Sequence, residues 1–231
     1  EVVMRVKKKK HGAERMAACG DIVITDLKVA EKNPKNLFND DKEVRIEIGC
    51  GKGDFIVGTA IKNPDVNFLA IEKVHDVLVM AAEKIKNSGL TNVKVCCCDA
   101  KELTEYFDEK SIDRIYLNFS DPWPKSRHEK RRLTHRSFLE IYKTILKDDG
   151  EIHFKTDNRG LFDFSIEEFK ELGWELNKLT YDLHNSEYME NNVMTEYERR
   201  FSGLDAQELS EQMQISHEQT YIDFLKKRES D

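Results

Sequence analysis

The 231-residue chain reads as an α/β protein, a doubly wound and mostly parallel seven-stranded sheet that finishes in an antiparallel hairpin. Three observations predict this. Five short apolar runs of strand length alternate with helical segments between Val44 and Thr156. The first run ends in a glycine turn, Gly49-Cys-Gly-Lys-Gly53, and later runs end in single acids. Two further strand-like segments follow the last helix without another helix between them. Strands that alternate with helices of about 10–15 residues imply parallel βαβ units with right-handed crossovers. A chain of this length buries roughly 70–75% of its unfolded surface, so stability requires neither a disulfide nor a metal.

Residues 1–41 are polar and basic, with turn punctuation at Asn33-Pro34 and Asn39-Asp40-Asp41. They lack a strong period and read as an arm that orders on the body or on a ligand. From 42 to 202 the pattern is regular and reads as one domain. Val44–Ile48 is a strand, and Asp54 starts a helix running to Lys62. Asn67–Glu72 is the second strand, and Val74–Ser88 is an amphipathic helix closed by Gly89. Val93–Cys98, Ile112–Leu117 and Glu151–Thr156 are the third to fifth strands, with a helix over Phe138–Leu146 between the last two. A helix over Leu161–Leu172 leads to strands at Trp174–Tyr181 and Met194–Phe201, the expected hairpin. Residues 203–231 read as a short acidic helical tail.

Composition narrows the function classes. The net charge is −7, from 37 Lys and Arg against 44 Asp and Glu, so a nucleic-acid surface must be a local patch. Basic residues cluster at Arg5–Arg15 and Lys125–Arg132. Three of the five cysteines are consecutive, Cys96 to Cys98, where alternating strand geometry cannot pair them. They read as reduced thiols of a cytoplasmic protein. No apolar run approaches ~20 residues and no signal core opens the chain, so neither a membrane span nor secretion is expected.

The candidate site lies at the strand ends. Glycines after a strand let backbone approach a ligand, and the helix that follows offers N–H groups and a positive dipole end. Gly49, Gly51 and Gly53 are spaced Gly-x-Gly-x-Gly, not the Gly-x-Gly-x-x-Gly of a dinucleotide fold. Glu47 sits inside the strand, either as a satisfied buried carboxylate or as an anion facing a ligand's positive group. Glu72, at the end of the second strand, suits the two hydroxyls of a ribose, and Asp99, at the end of the third, suits an adenine amine. Each alone also reads as a helix cap. Together they call for a nucleoside ligand without a pyrophosphate, which suggests S-adenosylmethionine. After the fourth strand, Asn118-Phe-Ser-Asp-Pro-Trp-Pro-Lys125 stiffens the backbone around Asp121 and Trp123. The run to Arg132 then adds Lys125, Arg127, Lys130, Arg131 and Arg132. Acid, aromatic and cations in one loop suit a base held by its edge with its phosphates neutralised. An ordinary solvated turn before a charged helix would look similar.

Glu47-Ile-Gly-Cys-Gly-Lys-Gly53, Ile71-Glu72, Asp99-Ala100, Asp121-Pro-Trp-Pro-Lys125, Arg127-His-Glu-Lys-Arg-Arg132, Lys155-Thr-Asp157 and Thr195-Glu-Tyr-Glu198 closely resemble the bacterial tRNA (guanine-N7-)-methyltransferases. The resemblance runs over roughly Val44 to Phe201 and is most specific from Asp121 to Arg132. It implies a class I, Rossmann-like methyltransferase fold and methylation of a guanine in the tRNA variable loop (position 46 in tRNA numbering). On the family pattern Glu47, Glu72, Asp99 and Asp121 line the cofactor site beside Gly49 and Gly51, and Asp121 is also the catalytic residue. Lys125, Asp157, Thr195, Glu196, Tyr197 and Glu198 would touch the substrate. Arg127, His128, Glu129, Lys130, Arg131 and Arg132 would meet RNA. No metal is expected, nor an obligate protein partner, and the protein would act as a monomer or homodimer. The tail from Gly203 departs from the family's usual ending. Two rivals remain: an amino-methyltransferase acting on adenine N6 or cytosine N4, whose Asp-Pro-Trp loop is similar, and a non-catalytic RNA-binding module. The second should have lost Glu47, Glu72 or the glycines, and all are present.

Overall fold

Six segments pair as parallel strands: β1 (Val23–Ile24), β2 (Glu43–Ile48), β3 (Val66–Ile71), β4 (Val93–Cys96), β5 (Ile112–Asn118) and β6 (Leu146–Thr156). Together with β7 (Glu175–Thr180) and β8 (Thr220–Leu225) they form one sheet in the order β1-β4-β3-β2-β5-β6-β8-β7. β8 runs antiparallel to both β6 and β7. The computed structural model describes residues 11–198 and 220–225. The doubly wound, mostly parallel expectation holds, with β1 an additional short edge strand.

Burial explains the central strands. All six residues of β3 are buried, because helices cover both faces of the sheet there. Alternate residues divide between the two faces. Leu69 and Ile71 join the cluster under α5 (Arg136–Ile145) and α6 (Arg159–Glu171). Phe68 and Ala70 join the cluster under α2 (Asp54–Lys62) and α3 (His75–Ser88). Gly53 is fixed by packing: its φ is 81°, and a Cβ there would stand 3.1 Å from Ala81 Cβ of α3. Only glycine lets α2 start this close to α3.

Two expectations are corrected. Met194–Phe201 is not a strand within its described part. Its apolar–polar alternation resembles one, but Thr195-x-x-Glu198 closes on itself as a capping box. Glu198 N–H donates to Thr195 Oγ1 at 3.0 Å, and Thr195 N–H donates to Glu198 Oε2 at 2.7 Å. A helical turn therefore begins at Glu196, and Arg199–Phe201 lie outside the described residues. The partner of β7 comes instead from the tail expected to be helical. Thr220-Tyr-Ile-Asp-Phe-Leu225 is rich in β-branched and aromatic residues and inserts between β6 and β7. The described part of the N-terminal arm orders on the body. Helix α1 (Gly12–Ala17) packs on α3, as the short α4 (Leu103–Tyr106) does on α5, β1 pairs with β4, and turns at Leu27–Ala30 and Pro34–Leu37 bury Leu27, Ala30 and Leu37. The lysine run Lys7–Lys10 lies outside the described residues.

Candidate active site

The strand order reverses between β2 and β5, and the crevice at the carboxyl ends there is where open α/β sheets hold ligands. A cavity of about 600 Å³ opens at that edge. Its lining gathers Gly49 after β2, Glu72 after β3, Asp99 after β4, and Phe119, Asp121 and Trp123 after β5. Glu72 is anchored from both sides: Gly51 N–H donates to Oε2 at 3.3 Å and Val74 N–H to Oε1 at 2.9 Å. Asp99 caps the following turn through Lys101 N–H at 3.1 Å and pairs with Lys73 Nζ at 2.6 Å. Burial opposes ionisation of Asp99, but the Lys73 ammonium and Lys101 N–H hold its pKa below the usual carboxylate range. The cap reading is thus realised for Asp99, whereas Glu72 braces the turn ahead of α3, whose N-cap is Val74; both line the cavity. Apolar walls from Ile71, Val74 and Phe138 complete a slot suited to a flat ring.

Glu47, in β2 two residues before Gly49, is not among the residues lining this cavity and is 2% exposed. Asn118 Nδ2 donates to its Oε1 at 3.0 Å, while Oε2 is buried with no hydrogen-bond partner among the described residues. Burial raises its pKa to about 7, against the opposing pull of Asn118 and Lys155. A buried carboxylate with one idle oxygen is what a ligand's ammonium group would complete.

The 119–132 loop is built under strain. Phe119 and Trp123 have φ of 49° and 41°, a region that non-glycine residues rarely occupy. Phe119 N–H is tied to Lys155 O at 2.8 Å. Arg132 donates from Nε to Pro122 O and from Nη2 to Trp123 O, both at 3.1 Å, and its guanidinium lies 4.2 Å from the Phe164 ring centroid. Arg131 stacks over Trp123 at 4.7 Å, and His128 meets the same indole at 5.8 Å. Asp121 is exposed, and its carboxylate has no hydrogen-bond partner among the described residues. Lys125, which precedes a 3-10 turn over Ser126–Arg131, is also exposed, as are Arg127 and Lys130 on that turn.

Opposite this loop stands the segment from Asn192 to Glu198, held by Lys155. Lys155 is 2% exposed, and its Nζ donates to Asn192 Oδ1 (3.0 Å), Val193 O (3.0 Å) and Glu198 Oε2 (2.9 Å). Burial pushes this ammonium below the usual lysine range against the pull of Glu198. Glu198 is fully buried, and its other oxygen accepts from Asn192 at 3.0 Å. Both oxygens are engaged, so its position supports a structural role, as does that of the buried Thr195. Glu196 reaches the glycine turn and pairs with Lys52 at 2.6 Å. Tyr197 packs against Phe119 with ring centroids 5.1 Å apart and donates to Asp157 Oδ2 at 2.6 Å. Burial, with that bond to a carboxylate, raises the phenol's pKa.

The structure therefore gathers Glu72, Asp99 and Asp121 at one cavity and sets Asp157 and Tyr197 beside Phe119. Arg132, expected to meet RNA, is a clamp on the Pro-Trp-Pro backbone. Sequence reasoning missed Asn118, Phe119 and Lys155 as site residues. Lys155 carried a signal: a lysine flanked by Phe154 and Thr156 in a buried strand needs a partner. Among the described residues no cluster of three or more His, Cys, Asp or Glu side chains could hold a metal ion, and no helix is long and apolar enough to cross a membrane.

Residues 41–210 match the family model Methyltransf_4, described as "Putative methyltransferase". A "tRNA (guanine-N(7)-)-methyltransferase" of Streptococcus pneumoniae (strain CGSP14) is 47% identical over 199 residues, covering 86% of this chain and 94% of that protein. One of the same name from Streptococcus thermophilus (strain CNRZ 1066) is 50% identical over 199 residues, covering 86% and 93%. Among solved structures, the 16S rRNA methyltransferase KamB superposes with a TM-score of 0.59 at 12% identity, over 83% of this chain and 92% of that one. An antibiotic-related methyltransferase gives 0.58 at 17% identity, over 81% and 88%. These two likenesses speak for the fold alone, whereas the identity to the two streptococcal proteins, over nearly their whole length, shows that the chain belongs to the tRNA (guanine-N(7)-)-methyltransferase family.

Proposed function

We propose that this protein transfers a methyl group from S-adenosylmethionine to N7 of a guanine in the variable loop of tRNA. The observation that carries the reading is the single cavity in which Glu72, Asp99 and the Asp121 loop meet. The residues fit the cofactor. Glu72 keeps acceptor capacity for ribose hydroxyls, Asp99 for the adenine amine, and Glu47 for the amino-acid ammonium.

The cofactor supplies an electrophilic methyl on a sulfonium sulfur: the N7–carbon bond forms as the sulfur–carbon bond breaks, leaving a thioether and a cationic purine. Guanine N7 already holds an in-plane lone pair, so no residue need remove a proton first. The protein's task is alignment, worth up to ~7–11 kcal/mol in favourable cases. Asp121 accepts from guanine N1–H or the 2-amino group and offsets the charge that grows on the ring. Phe119 and Tyr197 form an apolar wall on the substrate side, and Asp157 holds the Tyr197 hydroxyl. Lys125, Arg127, Lys130 and Arg131 draw in the phosphates, and the action is cytoplasmic.

Bulk tRNA incubated with the protein and methyl-labelled cofactor, then digested to nucleosides, should carry the label in 7-methylguanosine. Label in N6-methyladenosine or N4-methylcytidine would make it an amino-methyltransferase, and no label would leave an RNA-binding module.

A further inference from the structure

Gly58 occupies the middle of α2, where glycine is the poorest helix former after proline. Its φ is not positive, unlike those of Gly49, Gly51 and Gly53 ahead of the helix, so the backbone does not ask for glycine there. The space around it does. A Cβ at Gly58 would stand 2.7 Å from Val193 Cγ1, closer than real Cβ contacts come. We infer that Gly58 is a positioning residue for the substrate: its missing side chain is the seat on which the 192–198 segment lies and from which Tyr197 is aimed. The inference rests on the tRNA reading above.

The segment has little room to evade an added methyl. Val193 is β-branched, stiff at χ1, and packs on the apolar cluster under α2 and α3. Its carbonyl accepts from Lys155 Nζ at 3.0 Å, and the Asn192 carbonyl before it accepts from Lys62 Nζ at 3.3 Å. Lys62 follows Gly58 by four residues, so both lie on one face of α2 and the segment is held along that face. Farther on, Glu196 reaches back to Lys52 in the turn before α2 at 2.6 Å. Between these ties the chain is short and closed, because Thr195 and Glu198 bond each other through the capping box. A push at Val193 therefore passes to Tyr197 instead of being absorbed in a loose loop.

Tyr197 is where the substrate wall is made, with its ring centroid 5.1 Å from that of Phe119 and its hydroxyl on Asp157. Restoring an ordinary contact of 3.4–4 Å at Val193 requires a shift of about 1 Å, and a misplacement of about that size can cost about 10²-fold in rate. Neither Gly58 nor any residue of the 192–198 segment lines the cofactor crevice, so cofactor affinity should not follow.

Single-turnover methylation of tRNA at saturating cofactor, calorimetric cofactor affinity and amide hydrogen exchange are measured on the whole protein and two variants. Gly58→Ala should methylate up to about 10²-fold more slowly and keep its cofactor affinity. It should also exchange faster than wild type over 192–198, with β3 and β4 unchanged. Gly58→Ala combined with Val193→Ala, which gives back the room the new methyl takes, should recover most of the rate and the protection. Such rescue separates seating from any effect on α2 itself, where alanine is the better helix former. A Gly58→Ala protein at wild-type rate would overturn the inference, as would a slow one that Val193→Ala does not rescue. If Gly58→Ala does not fold, the double variant decides: it must fold and methylate, and its failure overturns the inference as well. Failure of the tRNA reading would show in the wild-type protein, as no label in guanine, while exchange over 192–198 still reports whether Gly58 seats the segment.

Discussion

Glu47 makes a prediction in which stability and function move in opposite directions. Its carboxyl is buried, one oxygen is idle, and its pKa stands near 7 where an unfolded glutamate has 4.5. A folded pKa above the unfolded one means that the contribution to stability is full below about 4.5 and is lost as pH rises to about 7. At pH 8 the buried charge therefore costs on the order of 3 kcal/mol, from ~2.5 pKa units at ~1.4 kcal/mol each. Glu47→Gln should remove that cost and raise the melting temperature at pH 8, with little change at pH 4.5. Cofactor binding should go the other way. If the ammonium of S-adenosylmethionine docks on the ionised form alone, the apparent Kd is ~11-fold above its limit at pH 6 and ~1.1-fold at pH 8. Glu47→Gln should lose this tenfold pH dependence and bind about 10- to 100-fold more weakly, as for a charge-assisted hydrogen bond. Taking the ratio of wild type to variant cancels titration of the ligand itself. Calorimetry at pH 6, 7 and 8, repeated in buffers of different ionisation enthalpy, measures affinity and proton release together. A ratio independent of pH would refute the assignment of Glu47 to the cofactor.

Three other perturbations test the substrate side. Asp121→Ala should lower single-turnover methylation by on the order of 10²–10³, and Asp121→Asn should also be substantially impaired, with both folds intact because the side chain is exposed. A near wild-type rate for Asp121→Ala would show that the loop is only structural. Arg131→Ala should flatten the log–log salt dependence of tRNA binding by ~0.7–0.9, whereas Arg132→Ala should leave that slope and impair turnover by releasing the Pro122 and Trp123 carbonyls. Equal slopes lost from both would mean that Arg132 binds phosphate rather than clamping the loop. Lys155→Met should destabilise by ~3–5 kcal/mol because it strands the buried Glu198, while Lys155→Met with Glu198→Gln should recover most of that loss in denaturant titrations. Additive losses would show that the pair is not the source of the cost.

The sheet was legible because its signals are periodic. Runs such as Val44–Ile48 and Asn67–Ile71 have strand length and end in turn chemistry, and helix ends at Asp54 and Gly89 fall where they are observed. Strand ends then locate a crevice by topology alone, which is why Glu72, Asp99 and Asp121 could be brought together before any coordinates. What failed is where two physical causes share one pattern. Met194-Thr-Glu-Tyr-Glu198 alternates as a strand does, yet the alternation serves a capping box whose acid also neutralises Lys155. The tail's strand, Thr220–Leu225, follows an acidic stretch whose average composition hid it. The cationic run concealed a division of labour that charge counting cannot see, since Arg131 and Arg132 are identical neighbours and only packing separates a stacked cation from a backbone clamp.

That division explains why the strained loop holds its shape. A non-glycine residue at positive φ costs about 1–3 kcal/mol, and this loop has two, Phe119 and Trp123, on either side of Asp121. Each is fixed at a backbone atom: Phe119 N–H by β6, and the Trp123 carbonyl by Arg132. Neither tie uses the Asp121 carboxylate, so the acid is aimed by its neighbours and left with its acceptor capacity intact. On the proposed role of Asp121, a backbone fixed on both sides of the acid before substrate arrives lessens the reorganisation needed as charge develops on the purine. On the far wall the same economy recurs. Lys155 holds Asn192, Val193 and Glu198 from beneath, so Tyr197 meets Phe119 at a fixed distance with its hydroxyl on Asp157. Both walls hang from one residue of β6, the Lys155 carbonyl tying the first and its ammonium the second. A shift of β6 would therefore move donor loop and substrate wall together, preserving their separation.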